Sequence, residues 1–100
     1  MNELEQRVYK KLLRVPKGKV TTYGDLAKAV GIKNGQRVIG QIMNKNPFPV
    51  IIPCHRVVNS DGKIGGYFYG QNVKTEMLSK EGVTIKDGKI QNWEKTLFRF

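Results

Sequence analysis

The chain has one cysteine and one histidine, Cys54 and His55, and they are adjacent in the segment Pro53-Cys54-His55-Arg56-Val57. Thiolate is the nucleophilic form of cysteine, and a nearby histidine or arginine favours that form, so the pair indicates nucleophilic chemistry at Cys54. The alternative is structural, because a lone cysteine usually behaves as a small buried hydrophobic residue. Adjacent side chains on a strand point to opposite faces, so a contact between the two needs a bridging water or the sharp turn that Pro53 favours.

The composition limits the classes of protein to which this chain can belong. A formal net charge of +10, from 18 Lys and Arg against 8 Asp and Glu in 100 residues, predicts a polyanionic partner, with nucleic acid first. The alternative is a surface of solvated lysines, since the basic residues are scattered along the chain instead of forming one run. One cysteine cannot form an internal disulfide, and there is no zinc-type spacing, signal peptide or apolar run of membrane-spanning length. We therefore expect a soluble intracellular protein with a free thiol and no membrane association.

Two amphipathic helices are predicted in the first third of the chain. Apolar residues recur at helical spacing over residues 3–15, and Pro16-Lys17-Gly18 ends this helix. Thr22 is a candidate N-cap with Asp25 three residues later, which predicts a second helix from there to Gly31. Gly31 can adopt the left-handed conformation that commonly ends a helix.

A third helix is predicted from about residue 35 to residue 44, after a turn that contains glycine. Its apolar face consists of Val38, Ile39, Ile42 and Met43. Its other face carries Gln36, Arg37 and Gln41, and Gly40 leaves room for the close approach of a partner. Two short helices joined in this way form the helix-turn-helix pattern of DNA-binding proteins, although the pattern alone is weak because many small helical proteins contain it.

The remainder of the chain combines an extended link, short hairpins and one more helix. Residues 46–49 contain two prolines and predict an extended link to the cysteine segment, and residues 57–64 predict a hairpin in the position of a wing. Residues 65–70 form a glycine-bounded aromatic loop, for which base stacking and packing onto the core are equally open. A last helix is predicted over residues 72–80, and a second hairpin around residues 86–89.

Five segments of the chain together resemble one protein family. They are residues 15–27, 37–40, 46–58, 65–70 and 74–82. In combination they resemble the catalytic, C-terminal-type domain of the O6-alkylguanine-DNA alkyltransferases, the methylated-DNA:protein-cysteine methyltransferases, over about residues 4–85. Resemblance and pattern together predict a fold that is mainly α with small β-hairpins, a winged helix-turn-helix DNA-binding domain. They place the helix-turn-helix at about residues 22–45 and the active-site segment at about residues 46–70 of a single domain, 1–100, without a separate amino-terminal domain.

The resemblance also implies catalytic roles for individual residues. It implies that Cys54 accepts the alkyl group irreversibly and that His55 takes the thiol proton through a water molecule. Glu81 would orient the imidazole, and Asn46 would brace the turn that holds the thiol. Tyr23 would donate a proton to the departing guanine.

Other residues are implied to contact DNA or the flipped base. Arg37 would enter the duplex in place of that base, and Tyr23 would crowd the phosphate that rotates. The further DNA contacts on the same helix would be Gln36, Gly40 and Gln41. The pocket for the guanine would be formed by Val57, Gly65, Tyr67, Phe68 and Tyr69, with Tyr67 as its wall.

The function implied by the resemblance is DNA repair. The alkyl or methyl group of O6-alkylguanine in duplex DNA would pass directly, irreversibly and stoichiometrically to Cys54 after base flipping. This would make the protein a single-turnover methyltransferase that needs neither a metal nor an organic cofactor. We expect a monomer that is cytoplasmic and associated with the nucleoid, or nuclear in a eukaryote.

Two alternatives to this function stay open. The first is a non-catalytic lesion-binding or regulatory DNA-binding module, as in the alkyltransferase-like proteins, in which tryptophan replaces the reactive cysteine. Cys54 argues against that group. The second is a cysteine hydrolase, which is disfavoured because no oxyanion-hole signature is evident and the positive charge suits few such substrates.

Overall fold

The computed structural model describes residues 1–100 and is mainly helical with two small sheets. Its helices are α1 (Glu3–Leu12), α2 (Tyr23–Ala29), α3 (Gln36–Asn44), α4 (Gln71–Lys80) and α5 (Trp93–Thr96). Its strands are β1 (Thr21–Thr22), β2 (Val57–Val58), β3 (Ile85–Lys86) and β4 (Lys89–Ile90), and Cys54–Arg56 form one turn of 3-10 helix before β2. The predicted mainly α class with a helix-turn-helix is confirmed. None of the helices combines the length and the apolar character needed to cross a membrane.

Local capping explains where α1 begins. The Asn2 side chain accepts a hydrogen bond from the Glu5 amide, and the Glu5 carboxylate accepts one from the Asn2 amide, both at 2.8 Å. This capping box satisfies two donors that a helix start leaves free. The helix ends at Leu12 instead of continuing to residue 15, because the amides of Arg14 and Val15 bond three residues back and tighten the turn. Val15 is nevertheless buried in the core.

The predicted helix-turn-helix consists of α2 and α3, which pack against each other. Thr22 Oγ1 accepts a hydrogen bond of 3.0 Å from the Asp25 amide and caps α2 as predicted. Gly31, at a φ of +80°, ends α2, and the Ile32 amide then donates to the Ala27 carbonyl at 2.9 Å. Both ends of α2 are therefore fixed by short-range chemistry, which also sets where the turn into α3 begins.

One side of α3 faces the core and the other faces solvent. Ile39, Ile42 and Met43 are buried, whereas Val38 is 37% exposed, contrary to the prediction. At about 100° per residue, Val38 lies a quarter-turn or more from Ile39 and falls outside the buried side. The other exposed residues of α3 are Gln36, Arg37, Gln41 and Asn44.

The first sheet pairs two segments that are far apart in the sequence. β2 runs parallel to β1, with Thr21 opposite Val57 and Thr22 opposite Val58. Both valines are fully buried, and burial on both faces is typical of strands in parallel pairing. The predicted pairing of β2 with residues 63–64 is therefore wrong.

The second sheet is the hairpin of β3 and β4, and it confirms the prediction around residues 86–89. Residues 59–63 form only a turn, closed by a 2.9 Å hydrogen bond from the Asn59 amide to the Lys63 carbonyl. Lys63 then pairs with Lys89 in an isolated bridge, so this turn is attached to the hairpin and not to β2.

Two apolar clusters make up the interior. The larger one comprises 13 buried residues from the first three helices and the segment around Cys54. The smaller one consists of Val20, Val58, Ile64, Leu78, Val83 and Ile90. Val57 belongs to the first cluster and Val58 to the second, so β2 connects them. The turn that carries Cys54 leads directly into this strand and is held in place by its packing.

Candidate active site

Cys54 opens a tight turn at the base of a cleft. Its amide donates to the Ile52 carbonyl at 2.7 Å, and the Arg56 amide donates to the Pro53 carbonyl at 2.9 Å. The predicted turn at Cys54 is thus confirmed. Cys54 is only 5% exposed, and its accessible surface faces a cleft of about 360 Å3. The other residues that line this cleft are Tyr23, Gly40, Met43, Asn44, Gly66, Tyr67 and Phe68.

Asn46 holds the segment that precedes the turn. Its side-chain amide donates to the Ile52 carbonyl at 2.8 Å, and its Oδ1 accepts from the Phe48 amide at 2.9 Å. Within this loop Val50 has a φ of +79°, which is strained for a β-branched residue and requires such restraint. Asn46 therefore connects both ends of the loop that delivers Cys54.

His55 is buried beside the cysteine and has one free ring nitrogen. It is 1% exposed, its Nε2 lies 3.0 Å from Oε2 of Glu81, and its Nδ1 has no hydrogen-bond partner. Burial lowers the pKa of His55, and the hydrogen bond and charge of Glu81 offset only part of that effect. A neutral ring that donates from Nε2 to the carboxylate leaves Nδ1 as a proton acceptor.

Arg56 forms hydrogen bonds with Glu81. The sequence predicts instead that this arginine favours the thiolate form of Cys54. Its Nε and Nη2 donate to the two carboxylate oxygens at 3.0 and 2.6 Å, and its Nη1 donates to the Val15 carbonyl at 2.8 Å. Burial alone would raise the pKa of Glu81, but hydrogen bonds from Arg56 and His55 hold it below its ordinary value. Glu81 is therefore ionised at neutral pH and faces the His55 ring as a carboxylate.

Lys74 is a buried cation that sequence reasoning missed. It is 0% exposed, and its Nζ donates to the carbonyls of Val57 at 2.7 Å and Gly66 at 2.9 Å. Burial lowers its pKa to about 8, so at neutral pH it still donates as an ammonium. The available signal was its position one helical turn before the buried Leu78, on the same side of α4. Lys74 thereby fastens the glycine-rich loop to β2.

The aromatic residues of the 65–70 loop form a chain of edge-to-face contacts that starts at His55. The Tyr67 ring lies 6.4 Å from His55 and 5.7 Å from Tyr69, and Phe68 lies 5.0 Å from Tyr69. Burial, together with the charge of a Cys54 thiolate, raises the pKa of Tyr67 to about 12. Tyr67 and Phe68 line the cleft, whereas Val57, Gly65 and Tyr69 are not among the residues that line it.

The helix-turn-helix contributes the opposite side of the cleft. Tyr23, at the start of α2, lines the cleft. Burial, and to a smaller extent the negative charge of a Cys54 thiolate, raises the pKa of the Tyr23 phenol. Gly40 lies on α3, and a Cβ built there would meet no atom within 4 Å, so the surface is open at that point. Arg37, Gln36 and Gln41 are exposed on α3 outside the cleft, and Arg37 makes no ion pair with the chain.

No group of three or more His, Cys, Asp or Glu side chains is close enough to bind a metal ion. The titratable groups at the cleft are instead two tyrosines, a thiol and a buried imidazole, with a carboxylate and an ammonium behind them. Such a set can carry out nucleophilic attack and proton transfer.

Fold and site together define the class of protein, a helix-turn-helix DNA-binding domain whose second helix borders a buried cysteine. Residues 3–83 match the family described as 6-O-methylguanine DNA methyltransferase, DNA binding domain, and the chain belongs to that family. The predicted resemblance is confirmed at this level. The matching family description concerns DNA binding.

The names of individual relatives agree with the family description. The chain is 45% identical over 85 residues to a methylated-DNA–protein-cysteine methyltransferase of Metallosphaera sedula, covering 85% of this chain and 53% of the relative. It is 41% identical over 86 residues to one of Candida glabrata, covering 86% of this chain and 42% of the relative. The chain thus spans about half the length of these curated relatives.

Two solved structures show different extents of similarity. S. pombe Atl1, in complex with damaged DNA containing O6-carboxymethylguanine, aligns with a TM-score of 0.87 at 32% identity and covers 100% of this chain and 98% of its own. Mycobacterium tuberculosis OGT, in complex with DNA, aligns with a TM-score of 0.80 at 38% identity and covers 82% of this chain and 50% of its own.

Proposed function

We propose that this chain repairs O6-alkylguanine in duplex DNA by transferring the alkyl group to Sγ of Cys54. One observation carries the proposal: Cys54 faces a cleft that admits a base, next to an imidazole whose Nε2 is held by Glu81 and whose Nδ1 is free. A buried thiol in a structural role needs neither the cleft nor the unpartnered acceptor.

The proposed step conserves atoms and charge. The thiol proton passes through a water molecule to Nδ1 of His55, and the Glu81 carboxylate stabilises the imidazolium that results. The sulfur–carbon bond forms as the bond between carbon and O6 of guanine breaks, and the leaving guanine takes a proton from the Tyr23 hydroxyl. The proton on the His55 imidazolium then returns through water to the Tyr23 phenolate, so both side chains end neutral. The raised pKa of Tyr23 keeps that hydroxyl protonated until the leaving group forms. A thioether has no easy route back to a thiolate, so each molecule would repair one lesion.

DNA binding is proposed to occur through the exposed side of α3. Guanine in the base stack cannot reach a thiol that is 5% exposed, so the base must leave the duplex. Arg37 has no partner within the chain and would fill the gap, with Gln36 and Gln41 beside it and Gly40 allowing a close approach. Tyr23 would crowd the phosphate that rotates.

The flipped guanine would bind between Tyr23 and the 65–70 loop. Tyr67 and Phe68 would form its walls. Tyr69, which contacts both rings edge to face, and Gly65 would complete the loop that carries them. The Val57 carbonyl, which accepts a hydrogen bond from Lys74, would also accept one from the amino edge of guanine. The proposed reaction uses only water and the side chains and backbone groups of this chain.

Intact-mass measurement tests the proposal most directly. Wild-type protein and Cys54→Ser are each incubated with an equimolar duplex containing O6-methylguanine. The intact mass of each protein is then measured by mass spectrometry, and its peptides are mapped after proteolytic digestion. We expect the wild type to gain one methyl group, located in the peptide that contains Cys54, and the variant to gain none while still binding DNA. Wild-type protein that binds the duplex without a change in mass would refute the transfer.

A second function, binding of the lesion without transfer, is favoured by one specific observation. The chain aligns end to end with Atl1 of S. pombe, which was crystallised with damaged DNA. Under this alternative the duplex would bind more tightly with the lesion than without it, and the mass of the protein would stay constant. The same experiment therefore separates the two functions.

A further inference from the structure

Four basic side chains form one stripe along α1 and the turn that follows it. The stripe consists of Arg7, Lys10 and Lys11 of α1 and Arg14 of the turn that follows, and it is here called the α1 basic stripe. Their spacing of three, four and seven residues places them on one side of the helix. They border a groove of about 300 Å3 against Ala29 and Val30 at the end of α2.

No acidic group neutralises this stripe. The four ion pairs of the chain involve none of its members: Glu3, one helical turn before Arg7, is in no ion pair, and Glu5 closes the capping box of α1. Like charges one turn apart on a helix repel each other, so such a stripe is unfavourable without an anion. This is a charge pattern that an external polyanion would stabilise.

Two arginines at the ends of the stripe are held in place. Nη2 of Arg7 donates to the Val30 carbonyl at 2.7 Å, and the Arg14 guanidinium lies 5.8 Å from the centre of the Phe100 ring. Fixed guanidinium groups lose less conformational entropy on binding than free ones. The stripe is therefore partly organised before any ligand arrives.

The stripe points away from α3. The hydroxyl of Tyr9 donates to the Ile42 carbonyl at 2.7 Å, which identifies the side of α1 that faces α3. At about 100° per residue, the centre of the stripe lies about 150° around the helix axis from Tyr9. A duplex bound on the exposed side of α3 therefore leaves the α1 basic stripe free.

We infer that the α1 basic stripe binds the phosphate backbone of a second segment of duplex DNA while α3 holds the first. From residue 7 to residue 14 the stripe is about 10 Å long, which matches about three successive phosphates of one strand. Contacts to phosphate carry no sequence preference, so the second segment needs no lesion. A protein that holds two segments can pass directly from one to the other during its search for damage.

The test compares two variants that lose the same charge. The stripe variant carries Lys10→Gln, Lys11→Gln and Arg14→Gln, and it keeps Arg7 because that side chain binds the end of α2. The control variant carries three substitutions of exposed lysines on other elements, Lys80→Gln, Lys86→Gln and Lys95→Gln. Donor-labelled duplex containing O6-methylguanine is mixed with acceptor-labelled undamaged duplex, energy transfer is recorded, and sedimentation gives the ratio of DNA to protein.

Wild-type and control proteins are expected to form a complex of one protein with two duplexes and to show energy transfer. Raising salt fourfold should weaken binding of the second duplex about 40-fold if three phosphates are neutralised. The stripe variant should bind one duplex with the affinity of the control and show no energy transfer. A wild-type complex with only one duplex, equal behaviour of both variants, or binding of the stripe to anionic lipid vesicles but not to a second duplex would overturn the inference. Mass analysis of Cys54 in the same samples reports separately on alkyl transfer.

Discussion

His55 and Glu81 are joined by a 3.0 Å contact between Nε2 and Oε2, and the same carboxylate accepts two hydrogen bonds from Arg56. The imidazole and the guanidinium come from one 3-10 turn, whereas Glu81 is the C-cap of α4. Because one carboxylate binds both, the end of α4 determines which nitrogen of His55 is left free to accept a proton.

Glu81→Gln is expected to slow alkyl transfer and to lower stability. The amide cannot stabilise the imidazolium, and Arg56 loses a buried ionic partner, which costs about 1–3 kcal/mol of the free energy of unfolding. Single-turnover rates and urea denaturation measure the two effects. His55→Gln should be at least as slow, and the double variant little slower than the slower single variant. A rate loss in the double variant equal to the product of the two single-variant losses would show that Glu81 acts independently of His55.

The stability of the protein is expected to fall in mild acid. Burial lowers the pKa of His55 below 6.5, so the unfolded chain takes up a proton first as the pH falls. The contribution of His55 to the free energy of unfolding is therefore complete above pH 6.5. It is lost as the pH falls from 6.5 to the lower pKa of His55 in the folded protein. Urea midpoints measured from about pH 7.5 to about pH 5 should fall more steeply for wild type than for His55→Gln. Parallel curves would contradict this assignment.

Glu81 adds a loss of stability at lower pH. Burial would raise its pKa, but the bonds from Arg56 and His55 keep the folded value below 4.5. Its contribution is present above 4.5 and is lost as the pH falls through the folded pKa. The loss of stability due to Glu81 therefore occurs below the pH range used for His55, and the two losses can be measured separately.

Lys74→Met is expected to destabilise the protein by about 1–3 kcal/mol and to slow transfer. The carbonyls of Val57 and Gly66 lose their shared donor, while removal of a buried ammonium offsets part of that loss. Lys80→Met on the exposed side of the same helix is the matched control and should change stability by less than about 0.5 kcal/mol. Urea denaturation and single-turnover rates give both readouts. Unchanged transfer by a destabilised Lys74→Met would show that the lysine serves folding alone.

Arg37→Ala is expected to slow repair in duplex DNA far more than reaction with the free base O6-alkylguanine. The guanidinium is exposed and unpaired, and its proposed role arises only when a base leaves the stack. Rates on the two substrates, measured for wild type and for Gln41→Ala as a neighbouring control, separate flipping from chemistry. Equal losses on both substrates would exclude a role for Arg37 in flipping.

The parts of the fold that the sequence predicted correctly depend on near neighbours. Thr22 and Gly31 define the ends of α2 through contacts within five residues, and the turn at Cys54 follows from Pro53. The pairing of β1 with β2 joins distant segments, and no local pattern distinguishes it from a hairpin.

The site was predictable to a smaller extent than the fold. Cys54 and His55 stand out by their types, and the resemblance adds Glu81. The burial of Lys74 and the attachment of Arg56 to Glu81 depend on carbonyls and carboxylates brought together by folding. Long polar side chains are ordinarily exposed, so neither contact could be predicted from the sequence alone.

The near-complete burial of Cys54 bears on how such a protein would last in a cell. A thiol that is 5% exposed is shielded from oxidants and soluble electrophiles, which attack accessible thiolates most readily. If each molecule reacts once, alkylation of the thiol by a bystander electrophile would remove the molecule permanently from the active pool. Sequestration of the sulfur in the cleft would keep idle molecules competent until a damaged base arrives.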